Sequence, residues 1–325
     1  MNNNLKLIAE NNSTIAPLLT IVVPAYNHEN YVSECLQSIL SAKNTSQIEL
    51  IVIDDGSTDQ TLTVVTDCLK GKAINYQIFT KPNEGLTRSL DLGLNMARAD
   101  FIAIIASDDA YIPAGLDSVM ALLATQIDHD IAMLFQAENF GDLDGPVYGL
   151  DTANLFTLDP LKMEVALSIR FPRPMLLQSS VFGTRFLKTL SPWSDRLGLD
   201  DWPTFIKIAQ SVAKGVGRFS YNSSIVLCRY RIHSSGIHTN TDRQLKVCLE
   251  VADRVVDRSL RSQARANVMF DISLIHLYEQ RPLEFLKNFS KGIVENPSWF
   301  EVVRLVKRVL NAIWRRVTAR TKSTR

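Results

Sequence analysis

The chain has little of what marks secreted or metal-scaffolded proteins. Its 325 residues include four cysteines, Cys35, Cys68, Cys228 and Cys248, and no C-x-x-C pair. That spacing argues against a zinc site or a disulfide framework and for reduced cytoplasmic thiols. Charge of one sign is also missing. Lys and Arg number 35 against 34 for Asp and Glu, so no overall field draws the protein to nucleic acid. No apolar run reaches the roughly 18 residues of a spanning helix. The opening MNNNLKLIAENNSTIAP lacks a basic region followed by an apolar stretch, so the expectation is a chain neither secreted nor transmembrane. No G-x-G-x-x-G or P-loop follows an apolar strand, which disfavours dehydrogenases and ATPases. No internal repeat is evident. What is present, 46% hydrophobic and 21% charged residues, supports one large globular domain with room for an appendage.

Residues 1–16 are Asn-rich and aperiodic and read as a flexible leader, with a domain over 17–240 and a helical region over 241–325. Apolar runs at 18–23, 48–53, 74–80 and 101–106 read as strands, and 31–39, 58–69 and 86–97 as the helices between them. The second and fourth runs are largely apolar, with Glu49 inside the second, as in a parallel sheet buried on both faces. Alternation of this kind predicts an α/β sheet with right-handed crossovers. Residues 201–213 read as a further helix and 223–232 as a further strand.

Ligands of such sheets sit beyond the carboxyl ends of the strands. Two strand ends here are acidic: Asp54 and Asp55 in IDDGSTD, and Asp108 and Asp109 in ASDD. Carboxylates there serve as helix caps, metal ligands or acid/base groups. Ser57, Thr58 and Asp59 read as structural, with Ser57 or Thr58 capping the next helix and Gly56 forming a tight turn. Asp54 or Asp55 is then available to accept a hydrogen bond from a base or ribose hydroxyl. Adjacent Asp108 and Asp109 call for a compensating cation. Oxygen ligands without nearby His or Cys favour Mg2+ or Mn2+, with a nucleotide diphosphate as the natural occupant.

Five motifs then stand in register: VPAYN (23–27), IDDGSTD (53–59), the N-x-G of Asn83 to Gly85, ASDD (106–109) and LDDW (199–202). In order and spacing they resemble the family 2 glycosyltransferases, over about residues 18–238. The resemblance implies a GT-A type fold, a Rossmann-like, mostly parallel sheet flanked by helices, here with a C-terminal helical appendage. It also implies inverting transfer from a nucleotide-diphosphate sugar with Mg2+ or Mn2+. By position, Tyr26 and Asp55 match residues that hold the nucleotide base, with Asp54 alongside. Asp108 matches the residue near the ribose, Asp109 the direct metal ligand, and Asp201 the general base, with Asp200 as its alternative.

The chain departs from the family at Ala106, where many relatives carry an acid, and at Leu90 and Asp91, where others carry Arg-Asn. Arg88 reads either as a compensating phosphate contact or as an exposed helix residue. His233, in an H-S-S-G resembling the loop that closes over the diphosphate, reads as a metal or phosphate contact or as a surface histidine. His28 faces either the diphosphate or solvent. Gln178, Ser179 and Ser180 are candidates for sugar hydroxyl contacts. Asp142 and Asp144 also spell D-x-D, but lie among turn residues and read as a loop.

From Trp299 apolar residues at 302, 303, 306, 309, 310, 313, 314 and 317 form one helical face, opposed by Arg304, Lys307, Arg308, Arg315 and Arg316. The segment reads as a helix lying in an anionic membrane surface, or as a terminal helix packed on the domain; charge bias and the two tryptophans favour the membrane. The acceptor expected from these features is a glycan or lipid-linked glycan of bacterial cell-surface polysaccharide synthesis, at the cytoplasmic face of the inner membrane. Residues 242–295 read as a packing appendage or dimer surface. The rivals are a non-catalytic nucleotide-sugar-binding or scaffold protein and a sugar nucleotidyltransferase. The latter needs a Gly-rich, basic loop after the first strand, which PAYNHENY does not supply.

Overall fold

A computed structural model describes residues 4–12, 14–142, 144–170, 175–232 and 240–297. The chain divides into two compact units, Met1–Glu164 with Pro174–Gly236, and Val165–Arg173 with Ile237–Arg325.

In the first unit the elements run β1 (Lys6–Asn11), β2 (Leu19–Ala25), α1 (Val32–Leu40), β3 (Ile48–Asp54), α2 (Thr61–Leu69), β4 (Asn75–Thr80), α3 (Leu86–Met96), β5 (Phe101–Ile104), β6 (Ala110–Tyr111), α4 (Pro113–Leu123), β7 (Ile131–Gly141), β8 (Gly145–Pro146), α5 (Leu150–Leu155), α6 (Pro160–Ile169, which continues into the second unit), β9 (Ser180–Gly183), α7 (Thr184–Leu190), α8 (Asp201–Ala213) and β10 (Arg218–Ile232). One sheet takes the order β1-β4-β3-β2-β5-β9-β7-β10-β6, with β8 hairpinned onto β7. Its long pairings β4–β3–β2–β5 and β7–β10 are parallel; β9 runs antiparallel between the two blocks, and the edges β1 and β6 are antiparallel. Every residue of β2 and β3 is buried, which is why these segments lack a polar alternation. The acid inside β3, Glu49, is compensated there: it accepts from Thr20 Oγ1 at 2.6 Å and from Arg98 N and Nε at 2.9 and 2.5 Å.

Two local expectations are corrected. Residues 1–16 do not lie wholly outside the fold, because Lys6–Asn11 pairs antiparallel with β4 and Asn11 Nδ2 donates to the Ile74 carbonyl at 3.0 Å. The leader reading failed because an edge strand needs only backbone pairing and can be polar on its outer face. Helix α2 begins at Thr61 rather than near Thr58; Asp59 Oδ1 accepts from Thr61 N at 2.9 Å, so neither Ser57 nor Thr58 caps it.

The second unit holds α9 (Thr241–Arg254), α10 (Arg261–Tyr278) and α11 (Pro282–Glu295). Asn240 caps α9 by accepting from Arg243 N at 2.9 Å. Phe270 and Phe289 join α10 to α11 with ring centroids 5.6 Å apart, beside Ala266 and Leu274. The buried Asn267 donates to the Ile169 carbonyl at 2.6 Å. The H-S-S-G of His233 and the basic segment from Trp299 lie outside the described residues. Among the described residues no helix is long and apolar enough to cross a membrane.

Candidate active site

Parallel register places the ends of β2, β3 and β5 on one rim. Ala25 pairs with Asp54, Asp55 N donates to the Ala25 carbonyl at 2.8 Å, and Ile105 N donates to the Val22 carbonyl at 3.1 Å. Tyr26 follows β2 directly and is 44% exposed on this rim. The next residue, Asn27, takes φ 52°, a left-handed conformation that asparagine tolerates. Its N–H donates to Ser57 Oγ at 3.0 Å and its side chain accepts from Thr58 N at 2.8 Å. Asp59 Oδ2 accepts from Glu29 N at 3.1 Å. Residues 57–59 therefore brace the loop that carries Tyr26, a structural role. Gly56, at φ +73°, lets Asn83 pass: a Cβ there would stand 2.8 Å from Asn83 N.

Asp54 and Asp55 are both buried, and their carboxylates are largely occupied. Asp54 accepts from Thr80 Oγ1 at 2.7 Å and from Ser57 N at 3.3 Å. Asp55 Oδ1 accepts from the Lys81 ammonium and from Glu84 N at 2.9 Å, while Oδ2 accepts from Gly85 N at 2.9 Å. Oδ2 thus keeps one lone pair for a further donor. Lys81 has no exposed side-chain surface, so its ion pair with Asp55 is a buried one that fixes the Asn83–Gly85 turn. Lys81 was not singled out from the sequence, although it also follows a strand end.

Asp108 and Asp109 lie between β5 and β6. Asp109 is 1% exposed; its Oδ1 accepts from Arg231 N at 2.8 Å, and its Oδ2 is buried without a hydrogen-bond partner. Burial first, then the neighbouring Asp108 charge, hold the Asp109 carboxyl well above the usual carboxylate range, opposed by the Arg231 N–H, the Gln178 side chain and the Arg231 charge. Arg231, also unforeseen, donates from Nε to the Asp108 carbonyl at 2.8 Å and pairs with Glu34. Its guanidinium lies 5.0 Å from the Tyr31 ring centroid and 4.2 Å from that of Phe140. Its only signal in the sequence was a basic residue at the end of the strand, which Arg229 shares. His28 falls between the two expectations for it: Nδ1 is 2.7 Å from Ser107 Oγ, and Nε2 is 3.8 Å from Asp108.

Asp200 and Asp201 open α8. The Asp200 carbonyl accepts from Thr204 Oγ1 at 2.6 Å and from the Trp193 indole at 3.3 Å. Asp201 Oδ1 accepts from Trp202 N at 2.6 Å. Burial pushes the Asp201 carboxyl up to about 6 against that hydrogen bond. Burial raises the phenol pKa of Tyr230, and the charges of Asp109, Asp108, Asp201 and Asp200 add to that.

The other candidates separate. Ser179 and Ser180 are buried and committed: Ser179 Oγ is 2.6 Å from the Tyr148 hydroxyl, and Ser180 Oγ donates to the Leu176 carbonyl at 2.9 Å. They are structural, whereas Gln178 turns toward Asp109. Arg88 bonds Asp91 at 3.2 Å and lies 3.9 Å from Glu84, while Leu90 is buried. Asp142 sits in the turn after β7, its N–H donating to the Ile232 carbonyl at 3.1 Å. A cavity of about 680 Å³ lies at the opposite end of β7 and β10, lined by Met133, Phe156 and Tyr221 and by none of the acidic residues above.

A mixed, mostly parallel sheet with an acidic strand-end rim and a carboxylate on a facing helix defines a GT-A type transferase fold. Two solved structures share it: residues 1–349 of S. aureus TarS in complex with UDP-GlcNAc (TM-score 0.60, 19% identity, covering 85% of this chain and 81% of that one) and mannosyltransferase PcManGT of Pyrobaculum calidifontis in complex with GDP-Man and Mn2+ (TM-score 0.59, 17% identity, 94% and 83%). At these identities the likeness is one of fold. Residues 20–170, a little under half of the chain, match the family model Glycosyl transferase family 2. An uncharacterized glycosyltransferase of Haemophilus influenzae is 34% identical over 132 residues, 40% of this chain and 50% of that protein. Chondroitin synthase of Pasteurella multocida is 25% identical over 262 residues, 78% of this chain and 24% of the synthase. The chain thus spans half or less of the length of these curated relatives.

Proposed function

We propose that the chain is an inverting glycosyltransferase that moves a sugar from a nucleotide-diphosphate sugar to a hydroxyl of a glycan or lipid-linked glycan. The observation that carries this reading is the buried Asp109 Oδ2 without a hydrogen-bond partner on the strand-end rim, with the Asp201 carboxyl, at a pKa of about 6, at the start of α8.

The residues fit a divalent cation, because Asp109 Oδ2 is a buried hard-oxygen ligand with no hydrogen-bond partner. Among the described residues no three His, Cys, Asp or Glu side chains cluster as a closed metal cage, so an ion here would be shared with the substrate phosphates. Asp109 would hold Mg2+ or Mn2+ with Asp108 beside it, and the bound ion would stabilise charge on the departing diphosphate. Asp55 Oδ2 and Tyr26 would receive the base. Asp201 takes the proton from the acceptor hydroxyl as that oxygen attacks the anomeric carbon from the face opposite the leaving group, and a carboxyl titrating near pH 6 is a better base than an ordinary aspartate.

The synthase relative supports a polysaccharide acceptor, and the basic amphipathic sequence 299–325 supports a peripheral position on the cytoplasmic face of the inner membrane. The test pairs two variants. Asp109→Ala should abolish the Mn2+-dependent thermal stabilisation by a nucleoside diphosphate. Asp201→Asn should keep that stabilisation and lose transfer. Transfer retained in both variants sinks the assignment; wild-type binding without turnover on any glycan acceptor leaves a nucleotide-sugar-binding protein.

A further inference from the structure

We infer that the outer face of α11 is a lipid-contact surface for an anionic membrane, an inference that rests on the peripheral membrane position proposed above. Helix α11 turns Asn288 and Gly292 inward, with Phe289 and Ile293 packed on the Phe270 cluster of α10. Its outer face is Leu283, Leu286, Lys287, Ser290, Lys291 and Val294, all exposed. At 100° per residue these six fall within an arc of about 140° and a strip about 16 Å long. Leu283, Leu286 and Val294 are 79%, 58% and 84% exposed. With Tyr278 they are the exposed large apolar side chains among the described residues of this unit.

Charge selects the occupant. Of the two carboxylates of α11, Glu284 borders this face and bonds Lys287 at 3.1 Å, and Glu295 bonds Arg265 at 3.0 Å. The face presents Lys291, Lys287 with its bordering partner Glu284, and three large aliphatic groups. A water-facing helix carries mixed charge, and a protein-binding groove filler carries an apolar stripe without lysines at its centre. Lysines flanking aliphatic side chains fit a headgroup layer, where the ammonium groups reach anionic lipid while Leu and Val enter the acyl boundary. The sequence that follows, 299–325, continues the same bias with eight Lys and Arg against the single acid Glu301.

The experiment is co-sedimentation of the full chain with vesicles of phosphatidylcholine alone or with one-third phosphatidylglycerol. The combined variant Leu283→Gln, Leu286→Gln, Val294→Gln should lower partition onto anionic vesicles by about tenfold or more, with unchanged circular dichroism. Lys287→Glu with Lys291→Glu should lower it by about fivefold or more on anionic vesicles only. Wild-type binding that neither variant reduces overturns this inference and leaves the peripheral position standing. Absence of wild-type binding to either vesicle overturns both. A wild-type dimer in light scattering that the triple variant converts to monomer makes a second copy the occupant and overturns the lipid assignment.

Discussion

Replacing Asp201 by Asn should stabilise the protein at alkaline pH while removing its activity. The folded-state carboxyl titrates at about 6, against about 3.9 in an unfolded chain. Because the folded pKa is the higher, the native state binds more protons than the unfolded state between these values, and stability falls as pH rises from about 4 to about 6. Above that window the ionised side chain costs about 3 kcal/mol, from roughly two pKa units at 1.36 kcal/mol each. This is an upper figure, since Asp201 keeps partial exposure. Asparagine retains an oxygen for the Trp202 N–H, 2.6 Å away in the wild type, but carries no charge to desolvate. The variant should therefore gain up to about 3 kcal/mol at pH 8, a urea-midpoint shift of about 1 M for a slope near 3 kcal/mol/M, and almost nothing at pH 3. Urea titrations followed by the fluorescence of the buried Trp193 and Trp202 measure both. A variant less stable than wild type at pH 8, or equally shifted at both pH values, refutes the reasoning.

The same carboxyl should make kcat/KM of the wild type fall with unit slope below pH about 6, and a profile flat to pH 5 would remove Asp201 as the base. Lys81→Met leaves Asp55 charged and buried, so it should cost about 3–5 kcal/mol in chemical denaturation, with part recovered by adding Asp55→Asn. Tyr148→Phe strands Leu176 N–H, 2.8 Å from the lost hydroxyl, and leaves Ser179 Oγ with its bond to the Leu176 carbonyl at 3.2 Å. It should lower stability by about 1–3 kcal/mol while leaving the KM for donor unchanged.

Much of the scaffold is legible because it depends on near neighbours in the chain. The mostly apolar runs at 18–23 and 48–53 are strands buried on both faces, and the helix read over 201–213 is α8. Strand β1 escaped notice because KLIAEN has half its side chains in solvent and is held by pairing with a segment over 60 residues away. The long β7 was equally silent, since its parallel partner β10 joins it from far along the chain. Ser179 and Ser180 show the converse error: two hydroxyls in a row look available, and only the tertiary fold puts Tyr148 and Leu176 over them.

By itself the sequence determined which acids stand at strand and helix ends, because apolar periodicity locates those ends and the acids follow directly. Only the tertiary structure decided what each acid is free to do. Asp55 meets Lys81 and the turn N–H groups about 30 residues downstream, and Asp109 meets Arg231 across 122 residues. Asp109 Oδ2 is left without a partner, and Asp201 is lifted to about 6. Desolvation and remote hydrogen bonds set those states, and neither is a property of the residues adjacent in the chain.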